Sequence, residues 1–256
     1  MQFRRRLSRG LQALASYTWA HSFDTASAGS ALGNPGNLLL AALSNQNRGP
    51  SDFDIRHSVS AAITYEIPST DRNWFLKAIV GGWSIDNVIQ ARSAPPVNIT
   101  RLQYSNLAGA RAKVRPDLVP GQPLFLFGPQ YPGGRAINPK AFTLPPTDAK
   151  GNPLRQGNLG RNALRGFGAM QWDFALHREF PIHESVRLQF RTEVFNLLNH
   201  PNFGPPVSTL GSGQFGLSTQ MLGQSLNGGN LGGGALNPLY QIGGPRSVQL
   251  GVKLLF

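Results

Sequence analysis

The sequence predicts an all-β fold: an antiparallel meander of about six long strands that forms the C-terminal sector of a transmembrane β-barrel with long extracellular loops. Three observations predict this fold. Apolar and polar residues alternate at every second position in six segments of roughly ten residues. Short and long connections alternate between these segments. The final segment keeps its alternation up to a terminal aromatic residue, Phe256.

The composition excludes several other classes of protein. The 256 residues include no Cys, which excludes a disulfide scaffold, Cys-ligated zinc and a thiol nucleophile. No apolar run approaches the roughly 18–20 residues that a membrane-spanning helix requires. The chain is basic, with 24 Lys and Arg against 12 Asp and Glu and a formal net charge of +12. Arg4, Arg5 and Arg6 resemble the start of a signal peptide, but no cleavage site follows, so we interpret this segment as mature sequence.

Each of the six predicted strands has one apolar and one polar face. In one of them, Val186, Leu188 and Phe190 alternate with Arg and Gln residues. A length of about ten residues is that of a tilted strand that crosses a bilayer. We place the strands near residues 9–20, 55–67, 75–92, 169–180, 185–198 and 246–256, within one partial outer-membrane β-barrel domain that covers residues 1–256.

The connections favour a membrane barrel over a soluble β-sandwich. Two links, Pro68–Asn73 and Pro181–Ser185, are short and turn-like. The other three, at 21–54, 93–167 and 199–245, are long, and their composition predicts partly mobile surface loops. Short periplasmic turns that alternate with long extracellular loops are typical of transmembrane barrels.

Aromatic residues are placed as two girdles would require. Amphipathic rings favour the two levels at which a barrel meets the lipid headgroups. The topology puts one group at the level of the short turns: Tyr65, Trp74, Phe75, Phe180 and Phe256. It puts a second group towards the long loops: Tyr17, Trp19 and Trp172.

The polar faces of the strands predict a polar barrel interior. Charged residues recur there, which is typical of strands whose second face lines a lumen. The predicted lumen-facing residues are Asp86, Arg92, Asp173, Glu179, Arg187, Arg191 and Glu193.

The last strand carries the most specific motif. Gln249 is followed by Gly251, then by the hydrophobic Leu254 and the terminal Phe256. This pattern resembles the C-terminal signature of bacterial outer-membrane barrels. An exposed strand edge with an apolar face, a small residue and an aromatic anchor suits recognition by an assembly machinery.

Four further segments carry a resemblance to one family. They are Asp52-Phe-Asp-Ile-Arg-His57, Arg115-Pro-Asp117, Gly157-Asn-Leu-Gly-Arg-Asn-Ala-Leu-Arg-Gly-Phe-Gly168 and Arg191-Thr-Glu-Val-Phe-Asn-Leu-Leu-Asn-His-Pro-Asn-Phe203. Together with the C-terminal motif they resemble the C-terminal barrel region of TonB-dependent outer-membrane receptors of the Oar-like type. The resemblance covers about residues 9–256.

The resemblance implies a receptor for transport across the outer membrane of a Gram-negative-type cell. In that family a carboxypeptidase-regulatory-like domain and a plug precede the barrel, and both are missing from this chain. We therefore expect a fragment that does not transport alone, is not an enzyme and uses no cofactor or metal. The expected partners are outer-membrane lipid and lipopolysaccharide, the barrel-assembly machinery, the plug and remaining strands, and TonB only through the missing N-terminal part.

Two alternative functions remain open, a structural or adhesive outer-membrane barrel and a soluble basic nucleic-acid-binding protein. The loop at 93–167 supports the second, because it holds ten basic and two acidic residues. Those charges are scattered, and anionic lipopolysaccharide would also favour them, so we expect no nucleic-acid partner. A metal site at His177, Glu179 and His183 is also disfavoured, because Pro181 begins a turn before His183.

Overall fold

A seven-stranded antiparallel sheet organises the chain. The computed structural model describes residues 2–6, 10–25, 47–68, 81–105, 110–183, 186–226 and 243–256. Each strand of the sheet pairs with its neighbours in chain order, so the sheet is a simple meander. Its strands are β1 (Gln2–Arg6), β2 (Leu11–Trp19), β3 (His57–Glu66), β4 (Trp83–Arg92), β5 (Ala169–His183), β6 (Val186–Phe195) and β7 (Ser247–Leu255).

The six predicted strands are present, with differences at their ends. Strand β4 begins at Trp83, later than predicted, because Gly81 and Gly82 form a turn and Gly82 has a φ of 76°. The predicted residues 75–80 lie outside the described residues. Strand β5 runs three residues past its predicted end, with an irregular register between Pro181 and His183. An additional strand, β1, was not predicted, because its three consecutive Arg residues hide the alternation.

The three long connections lie at the ends of the strands that are opposite the short turns. They contain short secondary-structure elements. We call the described residues of 20–56, 93–168 and 196–246 the loop layer. Its two-stranded pairs are Phe23–Asp24 with Gly49–Pro50, Pro96–Val97 with Leu164–Arg165, Arg101–Ser105 with Ala110–Val114, Asp117–Leu118 with Phe142–Thr143, and Phe125–Phe127 with Arg135–Ile137. Two 3-10 turns, Pro132–Gly134 and Pro139–Ala141, and one helix, α1 (Leu222–Leu226), complete it.

The hydrophobic core lies in the loop layer. Residues from two long connections share it: Val97, Ile99, Ile137, Ala141, Phe142, Leu159, Leu164, Leu210 and Phe215, with Phe125 and Leu144 partly buried against them. The composition of these connections predicts surface loops, but the structure shows a packed layer. Its apolar residues come from distant points in the chain, so they show no period that sequence reasoning could detect.

Candidate functional site

The strand register places all seven predicted lumen residues on one face of the sheet. Directly opposite residues of paired strands share a face. Asp86 and Glu193 both lie opposite Ala175, and Arg191 lies opposite His177. We call this the polar face; besides the seven residues it includes Gln12, Ser16, Thr18, Ser58, Ser60, Thr64, Glu66, Ser84, Gln90, Gln171, His177, Gln189, Gln249 and Lys253. That it lines a lumen stays a prediction.

The opposite face is apolar and largely exposed. Trp19 is 64% exposed, Leu250 77% and Val252 65%. The same register joins further residues into a continuous apolar face: Tyr17, Val59, Ile63, Tyr65, Ile89, Trp172, Phe174, Leu176, Phe180, Leu188, Phe190, Val194, Val248 and Leu254. Soluble monomers rarely expose an apolar surface of this extent, which marks a contact with lipid or protein.

Two polar side chains on the apolar face have aromatic partners. Asn87 accepts a hydrogen bond from the indole N–H of Trp172 at 3.0 Å. The Arg178 guanidinium lies 4.5 Å from the ring centre of Phe180 and 5.3 Å from that of Trp83. Both polar groups are thereby accommodated on a face that is mainly apolar.

The structure describes part of each of the two predicted girdles of aromatic residues. Tyr65 and Phe180 lie near the short-turn ends of their strands, whereas Tyr17, Trp19 and Trp172 lie towards the loop layer. Trp74 and Phe75 lie outside the described residues.

Asp86 on the polar face makes contacts across two strand boundaries. Asp86 accepts a hydrogen bond from the Thr64 hydroxyl at 2.8 Å, and its other oxygen lies 3.3 Å from Nδ1 of His177. These contacts link β3, β4 and β5 side by side. Cross-strand polar pairs of this kind stabilise a sheet and fix its register.

A second set of contacts links β5 to β6. Glu179 accepts from Gln189 at 3.1 Å and lies 3.4 Å from the guanidinium of Arg187. Within β6, Arg191 donates to Glu193 at 2.8 Å. Glu179 and Glu193 are therefore each paired with an arginine of the polar face, an arrangement that suits a water-filled interior.

The three candidate metal ligands do not form a site. Glu179 is engaged by Gln189 and Arg187, and His177 lies beside Asp86. His183 ends β5 beyond the irregular register. Within the described ranges, no three His, Asp or Glu residues lie close enough together to hold a metal ion.

The four C-terminal motif residues lie in or just after β7, which is one of the two edge strands of the described sheet. Gln249 and Gly251 lie opposite Glu193 and Arg191 on the polar face, whereas Leu254 lies opposite Leu188 on the apolar face. Phe256 follows the strand and is 91% exposed. A role for this motif in assembly stays a prediction.

Asp54 forms a buried hub in the loop layer. Its side chain is fully buried, and one oxygen accepts from Nδ1 of His21 at 2.8 Å and from the backbone N–H of Ser22 at 2.9 Å. The other oxygen accepts from Arg56 at 3.0 Å and from Arg165. Burial alone would raise the pKa of Asp54, but these hydrogen bonds outweigh it and hold the pKa well below its ordinary value.

Asp52, two residues earlier, binds the same partner segment. Its carboxylate accepts from the side-chain N–H of Asn162 at 2.7 Å and from Arg161 at 3.3 Å. Arg161 is nearly buried and also donates to Asp24. The motif at 52–57 is thus joined to the motif at 157–168 by ion pairs at two points, although about a hundred residues separate them.

The Arg115-Pro-Asp117 motif binds that segment as well. Arg115 is buried and donates to the carbonyl of Leu159 at 3.1 Å. Asp117 accepts from the backbone N–H of Asn158 at 2.8 Å and forms a two-point ion pair with Arg155 at 2.8 Å. A Cβ at Gly157 would lie 2.0 Å from the Pro116 carbonyl oxygen, so this close approach requires glycine.

The fourth motif fixes the start of the last long connection. Asn196 and Asn202 are both 1% exposed, and Asn196 has a left-handed φ of 51°. Asn196 donates to the carbonyls of His200 and Gly244 at 2.9 Å each. Asn202 exchanges two hydrogen bonds with the backbone of Met170 at the start of β5, at 2.8 and 2.9 Å.

The four motifs therefore have a structural role that the sequence alone did not reveal. In the sequence these motifs indicated only a resemblance to a family. Nothing in their spacing shows that the first three bind one another. Acidic residues in one segment and Arg residues in a distant, glycine-rich one are the signal that could have suggested a pairing.

Five of the ten basic residues of the loop at 93–167 have partners within the protein. Arg155, Arg161 and Arg165 pair with Asp residues, and Arg115 donates to a carbonyl. Arg135 lies over the rings of Phe125 and Phe167. These five side chains are therefore not arranged as a surface for a polyanion.

The sheet is antiparallel, with one polar face, one exposed apolar face and its long connections at one end. These features define the membrane β-barrel class of protein. Within the described residues, no helix is both long and apolar enough to cross a membrane. A family model described as outer membrane beta barrel domain matches residues 1–230. The chain belongs to this family, and its place is therefore the outer membrane. Neither the curated proteins nor the solved structures gave a match.

Proposed function

We propose that this chain is the C-terminal barrel segment of a TonB-dependent outer-membrane receptor of the Oar-like type in a Gram-negative-type cell. On this proposal it transports only together with a plug and further strands, and it performs no catalysis. The observation that carries the proposal is the polar face, because Asp86 and Glu179 contact polar or basic residues of neighbouring strands and Glu193 pairs with Arg191 of its own strand. A barrel wall around a wide aqueous interior needs such a surface.

The open sheet supports the need for further strands. Within the described residues, β1 and β7 each pair with one neighbour only. Seven strands are fewer than a closed barrel with an aqueous channel requires, since eight strands give an interior that side chains fill. Unpaired edges must be completed before the sheet is stable in lipid.

The test begins with the coding sequence immediately upstream. We expect in-frame segments for a plug and for additional strands, and a promoter with a ribosome-binding site in that place would contradict the fragment proposal. The joined protein is then produced in a Gram-negative host with and without TonB. We expect uptake of its substrate only when TonB is present and the proton-motive force is intact.

The present chain and the joined protein, compared in the same uptake assay, distinguish a receptor from an adhesive barrel. The present chain expressed alone should give no uptake, because on this proposal coupling to TonB needs the N-terminal part of the receptor. A joined protein that inserts and adheres to surfaces, but shows the same uptake in the presence and absence of TonB, would support the adhesive alternative and overturn the receptor proposal.

A further inference from the structure

The apolar face of the sheet continues past the end of β2 into the loop layer. Alternate residues of an extended segment share a face, so His21 and Phe23 follow Tyr17 and Trp19 on the same side. The rings of His21 and Phe23 pack edge to face, with their centres 4.1 Å apart. Phe23 lies in the short strand that pairs with Gly49–Pro50, and it is 55% exposed.

A second exposed ring, that of Phe53, lies in the turn that follows this pair of short strands. The turn comes directly after Pro50, the partner of Phe23. The residues on either side of Phe53, Asp52 and Asp54, bind distant partners inside the loop layer. Phe53 takes no part in that packing and is 66% exposed. We call Phe23 and Phe53 the exposed pair.

The height of the exposed pair corresponds to a boundary of the apolar band. Strand β2 has nine residues and starts opposite Tyr65, at the level of the short turns. At about 3.4 Å per residue and a tilt of about 40°, its end at Trp19 stands roughly 20 Å above that level. The same rise and tilt put Phe23 at roughly 30 Å, whereas the apolar band of an outer-membrane barrel is about 25 Å tall. The boundary between hydrocarbon and headgroups therefore falls between Trp19 and Phe23.

The surroundings of the exposed pair suit such a boundary. The loop layer has a hydrophobic core in which other rings, those of Phe142 and Phe215, are buried, yet it leaves the exposed pair outside that core. Arg48, which directly precedes the partner strand of Phe23, is exposed as well. Apolar rings beside a basic side chain are typical of protein segments that lie at the surface of an anionic membrane.

We propose that the exposed pair inserts into the membrane leaflet on the side of the loop layer, at the boundary between acyl chains and headgroups, with Arg48 among the anionic headgroups. With short turns on the periplasmic side, this is the outer leaflet. The occupant is lipid because the exposed pair continues the apolar face, and the family places that face in the outer membrane. The loop layer would thus contact lipid itself. The proposal rests on the membrane placement and not on the transport function.

The first test uses fluorescent labels at single positions. The 256 residues contain no Cys, so one introduced thiol marks one site. Phe23→Cys, Phe53→Cys and Phe127→Cys are each labelled with bimane in the protein as its gene encodes it, including any upstream part. The labelled proteins are reconstituted into phospholipid vesicles. Brominated acyl chains quench a label that contacts them, whereas iodide quenches a label in water.

We expect brominated lipid to quench the labels of the exposed pair and iodide to quench the label at Phe127. Phe127 is the matched control, because it is also a phenylalanine of the loop layer and is 74% exposed, but belongs to another long connection. Val59→Cys, on the apolar face opposite Tyr17, is the control for insertion and should be quenched by brominated lipid.

Three results would overturn the proposal. The labels of the exposed pair could respond only to iodide while the label at Val59 responds to brominated lipid. They could respond to neither quencher, which would indicate that a protein partner or a second copy of the chain covers them. The label at Val59 could itself escape brominated lipid, and the membrane assignment of the apolar face would then be wrong as well.

A second measurement leaves the sequence unchanged. Hydroxyl radicals generated in the water around outer-membrane vesicles oxidise aromatic side chains that water reaches, and mass spectrometry measures the rate at each residue. We expect slow oxidation at Phe23 and Phe53 and fast oxidation at Phe127, although all three are exposed on the protein. Equal rates would contradict insertion of the exposed pair. Neither measurement depends on TonB or on uptake, so this proposal can fail while the proposed function holds, and the reverse.

Discussion

A single buried carboxylate joins the loop layer. Asp54 binds Arg165 across more than a hundred residues of sequence, and it also binds His21 and Arg56 close to β2 and β3. A buried carboxylate with several donors is stabilising only while all of them are in place. The integrity of the loop layer is therefore expected to depend on this residue more than on any exposed ion pair.

Asp54→Asn should loosen the loop layer, because a neutral amide cannot balance the guanidinium groups of Arg56 and Arg165. We expect a loss of roughly 3 kcal/mol in the free energy of unfolding. Asp148→Asn is the control, since Asp148 accepts from Lys150 and Asn152 of its own turn at the solvent-accessible surface, and it should cost much less stability. Resistance of the loop layer to protease in increasing denaturant measures both, and equal losses would contradict the role of Asp54.

The same residue predicts how stability depends on pH. Hydrogen bonds lower the pKa of folded Asp54, so its stabilising contribution is complete above its unfolded pKa of about 4 and is lost as the pH falls below that value. The wild-type loop layer should therefore lose stability steeply in acid. Asp54→Asn should show a shallower loss over the same pH range in the same protease assay, and a parallel curve would exclude Asp54 as the cause.

Among the elements, the strands were predictable and the loop layer was not. The period of two marks a strand whose faces meet different surroundings, as in Val186–Phe195, and it needs no knowledge of distant residues. The core formed by residues such as Ile99, Ile137 and Phe215 depends on contacts between distant segments. The hub at Asp54 is of the same kind, so its motif was visible in the sequence but its partners were not.

Neighbouring substitutions test the two faces of β6. Phe190→Arg places a charge on the apolar face and should prevent stable membrane insertion, at a cost of roughly 2–4 kcal/mol for a midplane charge. Gln189→Arg places the same charge beside Glu179 on the polar face and should be tolerated. Heat-modifiable migration and protease resistance of the outer-membrane fraction give the comparison. Similar effects at both positions would contradict the assignment of the faces.

The residue that follows β7, Phe256, tests the assembly motif. Deleting Phe256 should stall assembly in the periplasm, because one exposed aromatic ring adds little burial and its role would be in recognition. Val59→Ala, in the inner strand β3, should lower stability but still allow insertion. Outer-membrane yield is compared between the two variants. Normal yield without Phe256 would mean that the motif has no role in assembly.

For the whole molecule, the net charge of +12 is larger than the positive charge that the surface presents to polyanions. Arg161 and Arg165 are held by acidic partners within the loop layer. We therefore expect weak binding to heparin or DNA that disappears as salt is raised to physiological strength. Retention on a heparin column over a salt gradient measures it. A tight, sequence-selective complex with DNA or RNA at that salt concentration would contradict this expectation and favour the nucleic-acid alternative.

The direction of the strands limits what can complete the sheet. Each strand runs opposite to its neighbours, so β1 and β7, first and last of seven, run the same way. Joining these two edges directly, or joining two copies about an axis along the strands, would create parallel seams. Antiparallel seams at both edges require an odd number of added strands, which gives the even total found in single-chain bacterial barrels. The number of strands in a segment proposed to complete the barrel wall therefore decides whether it fits. A segment with an even number of strands cannot close this sheet with antiparallel pairing at both edges.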